Sequence, residues 1–145
     1  MTVRWLLAFL LALMGFALHA QHADLTVKVE HVRTAQGIVR IALYDNPRFF
    51  TKEKGIYDRG ARKARQPVTS FRFRVHPGRC YALVSYHDRN HNGKFDRNFI
   101  GYPQEPMGFS NNAAPSIIRL SPPTFDEAKV CIRHDTTIVI RLKEY

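Results

Sequence analysis

An all-β fold is what this sequence predicts: an antiparallel β-sandwich of about seven short strands, immunoglobulin-like or prealbumin-like, with one long loop at an end. Three observations predict it. Apolar and polar residues alternate with period two through most of the chain, as in Leu25-Thr26-Val27-Lys28-Val29. No long stretch carries a helical period. Turn-forming residues recur at short intervals, as at Asp45-Asn46-Pro47, Pro77-Gly78 and His134-Asp135.

In chain order, residues 1–20 stand apart. Arg4 supplies a positive start, Trp5 to Leu18 is an uncharged apolar run, and Ala20 is a small residue ahead of Gln21 and His22. That is the pattern of a signal peptide, with an apolar core too short to span a bilayer comfortably. The expectation is export to the periplasm or medium. Residues 21–145 then form a single sandwich domain with no membrane span after cleavage.

The first strand is the alternating run Leu25, Val27, Val29. Gly37 opens "GIVRIALYD", a second apolar strand that stops at Asp45-Asn46-Pro47. A basic segment follows from Arg48 to Arg65 and reads as a loop. Phe71, Phe73 and Val75 alternate with Arg72 and Arg74 in a half-buried strand. Pro77-Gly78 fits the centre of a type II turn, because Pro presets one central φ and Gly supplies the positive one after it. That turn leads into a strand from about Cys80 to His87. Thr124 and Glu127 have capping-box spacing for one helical turn. Strands at roughly 128–133 and 136–143 close the chain.

Lys and Arg number 22 against 12 Asp and Glu. The excess in 48–65 suits an anionic envelope polymer, and export makes nucleic acid the weaker partner. Cys80 and Cys131 invite a disulfide in an oxidising compartment, but spacing leaves their pairing open.

"HDRNHNGKFDRN", residues 87–98, is the stretch with chemistry in it. Aligned with a calcium loop, Asp88, Asn90 and Asn92 take positions one, three and five, and Gly93 takes the bend. The Lys94 carbonyl takes position seven, Phe95 is the apolar anchor, and Asp96 falls at nine. Hard Ca²⁺ needs six to eight oxygens, and alternation in a tight turn lets side-chain oxygens converge. The twelfth position, a bidentate Glu in an EF-hand, is Phe99, and a strand rather than a helix leads in. This is therefore an EF-like loop on a β-scaffold, with Glu105 available to fold back as the missing carboxylate. Arg89, Lys94 and Arg97 dilute its negative charge, so the affinity expected is weak, on the order of 10⁻⁴ to 10⁻³ M. The plain alternative is that the Asp and Asn side chains cap turns by bonding their own backbone. Zinc or copper at His87 and His91 is a poorer fit, for want of further ligands.

The chain resembles a known family over essentially all of 21–145. The motif is His87, Asp88, Asn90, Asn92, Gly93, Asp96 and Asn98, then Gly101, Pro103, Glu105, Gly108, Phe109, Ser110 and Asn111. Pro123, Phe125 and Ala128 follow, and Pro77-Gly78 with Tyr81 precede. This pattern is similar to the exported bacterial family called domain of unknown function 2141. The resemblance implies a small secreted or periplasmic β-sandwich and no particular reaction.

The function expected is that of an exported, non-enzymatic β-sandwich whose Asp/Asn loop binds Ca²⁺ weakly and for stability. Its long loop, with Tyr102, Met107 and Phe109, either presents a surface to a partner or glycan or tucks over the sandwich end. One alternative is an envelope protein that holds anionic polymers through 48–65. The other is a hydrolase using His87 and Ser110, which have the residue types of a base and a nucleophile but no nucleophile elbow.

Overall fold

The structure is a computed structural model that describes residues 22–116, 118 and 121–145; the signal-peptide expectation for 1–20 lies outside the described residues. Eight strands run in chain order: β1 (Ala23–Glu30), β2 (Ile38–Tyr44), β3 (Asp58–Lys63), β4 (Val68–Val75), β5 (Arg79–Asp88), β6 (Met107–Phe109), β7 (Val130–Ile132) and β8 (Thr136–Arg141). One helical turn, α1 (Phe125–Ala128), precedes β7. Its capping box is present in both directions between Thr124 and Glu127, as their spacing predicts.

The strands form two sheets, so the sandwich is as expected. One sheet has the order β4-β1-β8, and the other β3-β2-β5-β6, with β7 also paired to β5. All pairings are antiparallel except β1 with β8, which runs parallel from Leu25↔Thr136 to Glu30↔Arg141. Alternation along β1 sends Leu25, Val27 and Val29 inward to meet Val39, Ile41, Leu43, Tyr81 and Leu83 of the facing sheet. Each such side chain, fully buried, stabilises by roughly 1.5–3 kcal/mol before chain entropy is counted.

Three features depart from the sequence expectation. The Pro77-Gly78 turn does join the predicted strands, and Gly78 has the positive φ it requires, +81°. Yet β4 and β5 lie in different sheets, so the turn is a corner between layers rather than a hairpin. The Tyr81 hydroxyl closes that corner by accepting from the His76 N–H at 3.0 Å. Second, the basic segment is not all loop, because Asp58–Lys63 is the edge strand β3 on β2. Its inward position opposite Ile41 is Gly60, where a Cβ would meet the Phe71 ring at 2.8 Å. With no apolar side chain facing the core, β3 has no period-two signal to read. Its cations also suit a free edge, which charge protects from pairing with another chain.

Third, the outer face of the second sheet is apolar as well. Tyr44, Phe50, Ala82, Met107, Phe109, Phe125 and Ala128 form a second buried cluster there. The excursion after the Asp/Asn loop folds back to supply β6, so Met107 and Phe109 are tucked in, and Tyr102 is half-buried.

Cys80 and Cys131 are directly opposed in the β5–β7 ladder, with Cα atoms 3.9 Å apart, and are bridged. The disulfide closes a loop across 51 positions, which the chain-entropy model values at about 4 kcal/mol. We therefore expect the Cys80→Ala/Cys131→Ala variant to lose 2–4 kcal/mol in urea unfolding. A loss below ~1 kcal/mol would mean that β7 holds the excursion without the bridge.

Candidate functional site

The Asp/Asn loop begins where β5 ends. Asp88 is the last residue of β5, paired to Ile38, and its side chain is completely buried. Gly37 lets the strands meet so closely, since a Cβ at that position would sit 2.2 Å from the Asp88 carbonyl oxygen. Two residues along β2, Arg40 projects from the outer face and its Nε donates to Asp88 Oδ2 at 2.9 Å. The same carboxylate accepts from the N–H groups of Asn92 (3.1 Å, to Oδ1) and Gly93 (3.0 Å, to Oδ2). Burial pushes the Asp88 carboxyl up, but the Arg40 hydrogen bond, the Gly93 N–H, the Arg40 charge and the Asn92 N–H together outweigh it. Its pKa lies below the ordinary value.

The rest of the loop is built from side-chain-capped turns. Asn90 Oδ1 accepts from Asn92 N–H at 3.1 Å, and Asn92 Oδ1 from Lys94 N–H at 2.8 Å. Asn98 Oδ1 accepts from the N–H groups of Ile100 and Tyr102, both at 3.0 Å. Positive φ at His91 (+63°) and Gly93 (+78°) lets the chain reverse between them. Glu105 does fold back as the spacing suggests. Its two oxygens accept from the N–H groups of Arg89 (3.2 Å) and Asp96 (3.3 Å) at the loop's base. Burial raises its pKa; the Asp96 N–H works against that, while the Asp88 charge adds to it.

The proposed metal ligands are thus brought together in part. Asn90, Asn92 and Asp96 converge, with both amide groups donating to Asp96 Oδ2 at 2.7 and 2.8 Å. Asp88 and Glu105 face the loop backbone from beneath. Lys94 offers its N–H to Asn92 and holds its side chain in solvent. Among the described residues, no three His, Cys, Asp or Glu side chains gather as a metal site. The convergent set is one carboxylate and two amides, a hard-oxygen set of low charge.

His87 and Ser110 are each engaged elsewhere. His87 is buried and its Nε2 lies 2.7 Å from the Gln36 carbonyl oxygen. Ser110 is buried between β6 and β7 at the side of β5. Its hydroxyl accepts from Leu83 N–H at 2.8 Å and donates to the Ala128 carbonyl at 2.5 Å. It completes the ladder where neither short strand reaches.

Sequence reasoning missed a groove beside the loop. On the outer face of the second sheet, Ala61, Arg40, Tyr86 and Met107 form one cross-strand row, and Arg59, Ala42, Val84 and Phe109 the next. Phe95, the apolar residue of the loop, packs edge-on against Tyr86 with ring centroids 5.3 Å apart, and Arg97 stacks over Phe95 at 5.2 Å. The loop therefore builds one wall of the groove, and Thr51, Glu53 and Ile56 stand on the opposite side. The groove has a volume of about 740 Å³, and Arg40, Arg59, Lys94 and Arg97 line it against Glu53, its single carboxylate among the described residues. A signal was present in "YALV", residues 81–84. An unbroken apolar run in a strand marks burial on both faces.

The model of a family described as an uncharacterized protein conserved in bacteria, DUF2141, matches residues 27–140. The chain belongs to that family, as its motif suggests. No curated protein matches it. No solved structure matches it either.

The depressed Asp88 pKa fixes the sign of a pH dependence. Stability that it contributes is present above the ordinary carboxylate range and lost as pH falls through the depressed value. Glu105, with its pKa raised, contributes in the opposite sense, and its ionisation weakens the fold as pH rises through the ordinary Glu range. Asp88→Asn is expected to flatten the acid limb of stability against pH, measured by urea unfolding. Arg40→Gln leaves the carboxylate buried without its cation, and should cost about 2–3 kcal/mol at neutral pH given its partial exposure. An unchanged acid limb in Asp88→Asn would remove this residue from its central place.

Proposed function

Starting from membership of a family whose description names no activity, we propose that the protein is an exported, non-enzymatic binding module. Its Asp/Asn loop is a prefolded wall of the groove and takes Ca²⁺ weakly, for stability. The observation that carries this reading is the packing of Phe95 on Tyr86, which couples the order of the loop to the shape of the groove. Export is supported by the Cys80–Cys131 bridge, since disulfides persist in oxidising compartments. The commitment of His87 and Ser110 to backbone partners supports a role other than hydrolysis.

Ca²⁺ belongs at Asn90, Asn92 and Asp96, the tips that converge. Asp88 is already neutralised by Arg40 and serves as the loop's internal anchor. An ion there supplies positive charge to Asp96 and requires the two amides to turn their oxygens inward, which keeps affinity low. A site of ~0.1 mM affinity at ~1 mM Ca²⁺ adds about 1.4 kcal/mol, or a rise in melting temperature of roughly 4–6 °C. That rise should be selective over Mg²⁺ and absent in Asp96→Ala. Asp88→Ala is a poor control because it dismantles the loop with or without the ion. No shift at several millimolar Ca²⁺ would leave Arg40 as the loop's cation.

A second reading, retention of anionic envelope polymers, is favoured by one observation. Arg62, Lys63 and Arg65 are exposed on and just after the edge strand β3, and Arg72 and Arg74 point outward on β4. Binding to an anionic matrix should then fall steeply with salt and weaken on charge reversal at Arg62, Lys63 and Arg65. Retention unmoved by that reversal would sink it.

A further inference from the structure

We propose that the groove on the outer face of β3-β2-β5-β6 binds a single-chain amphiphile with an anionic head, taken up free from solution. This inference rests on the reading of the groove as a binding surface, and it names the ligand.

Three properties of the groove select that chemistry. Its floor is apolar and only half-covered by protein, with Ala42, Val84, Tyr86 and Phe95 all partly exposed. An apolar floor left open to water gains from covering by hydrocarbon, at roughly 25 cal/mol per Å² removed from water. Its rim is cationic. Arg40 is held by Asp88 and Arg59 by Glu53 at 2.8 Å, while the exposed Lys94 ammonium has no ion-pair partner among the described residues. Arg97, over the Phe95 ring, is a second exposed cation in the lining. An anionic head therefore has somewhere to go.

The third property is what the lining lacks. Among the described residues it holds no Asn, Gln, Asp, Ser, His or Trp, and Thr51 is its one aliphatic hydroxyl. A sugar needs several directional donors and acceptors around its ring hydroxyls, because hydroxyls desolvated without partners cost binding energy. A carboxylate or sulfate on an alkyl chain needs only cations at one end and apolar surface along the rest. The size agrees, since about 740 Å³ is the scale of a site for one small ligand. The head sits at Lys94 and Arg97, and the tail runs over Tyr86 and Val84 toward Tyr44 and Ile56.

The test is isothermal titration of the protein with laurate below its micelle concentration. Dodecyltrimethylammonium serves as the same tail with the opposite charge, and butyrate as the same head without the tail. One saturable laurate site, with Kd on the order of 10–100 µM, is expected. The cation and butyrate should each bind at least about tenfold more weakly. The Lys94→Glu/Ala61→Glu variant changes two exposed positions at the two sides of the floor. It should keep the parent melting temperature and weaken laurate about tenfold. Lys94→Gln gives a milder second variant should the pair disturb the edge strand.

No saturable laurate heat, equal binding of the cationic amphiphile, or unchanged affinity in both variants would each overturn the proposal. Dextran sulfate as a further titrant separates the failures. If it binds, is weakened by Lys94→Glu/Ala61→Glu and laurate does not bind, the amphiphile is wrong and the groove still stands as a binding surface; if neither binds at the groove, both fall. The Ca²⁺ response is read in a separate experiment and bears on the loop alone.

Discussion

The ion pair between buried Asp88 and partly exposed Arg40 is the constraint on which the rest of the structure depends. A fully desolvated carboxylate is costly, and here it is compensated from three directions at once: a guanidinium on the neighbouring strand and two N–H groups of the loop it begins. One side chain thereby ends β5, fixes the first reversal of the loop, and holds Arg40 flat along the outer face of the sheet. The position of the guanidinium is also the position of a groove residue. Loop shape and groove charge are consequently two results of the same contact.

The loop is a folded piece of wall whose shape is fixed by its own hydrogen bonds. Its amide and carboxylate oxygens are nearly all occupied by N–H groups of the loop itself. Backbone groups that would otherwise face water or remain unpaired are thus satisfied locally. The alternation Asp-x-Asn-x-Asn-Gly serves turn capping and hard-cation coordination equally well, because both ask for short side-chain oxygens at every second position of a reversing chain. Arg40 pairs with Asp88 and contributes a positive charge from a part of the sequence that the motif does not include.

That explains how far the sequence could be read. β1, β2, β4 and β5 were legible because their inward residues alternate. The capping box at Thr124 and the corner at Pro77-Gly78 were legible because each depends on residues within a few positions of one another. Glu105 reaches the loop, where its oxygens accept from the N–H groups of Arg89 and Asp96. What could not be read depends on distant partners. β3 carries a glycine where its core residue would be, so no pattern announces it. The pairing of Cys80 with Cys131 needed the register of β5 and β7, and the corner's passage between sheets needed the sheet order. The groove was hidden because its floor comes from four strands and a loop, and because the unbroken apolar run Tyr81-Ala82-Leu83-Val84 was read as a strand without its second buried face.

The parallel pairing of β1 with β8 has a mechanical consequence. The two strands start level, Leu25 beside Thr136, and run together for six residues to Glu30 beside Arg141. Tension that draws β1 back toward its start and β8 onward toward its end slides one strand along the other. All the rungs between them are then strained together, in shear, and none can be peeled away first. The excursion that carries the loop and β6 lies between Cys80 and Cys131, closed off by their bridge. Stretching forces along the chain pass through that bridge and leave the excursion slack.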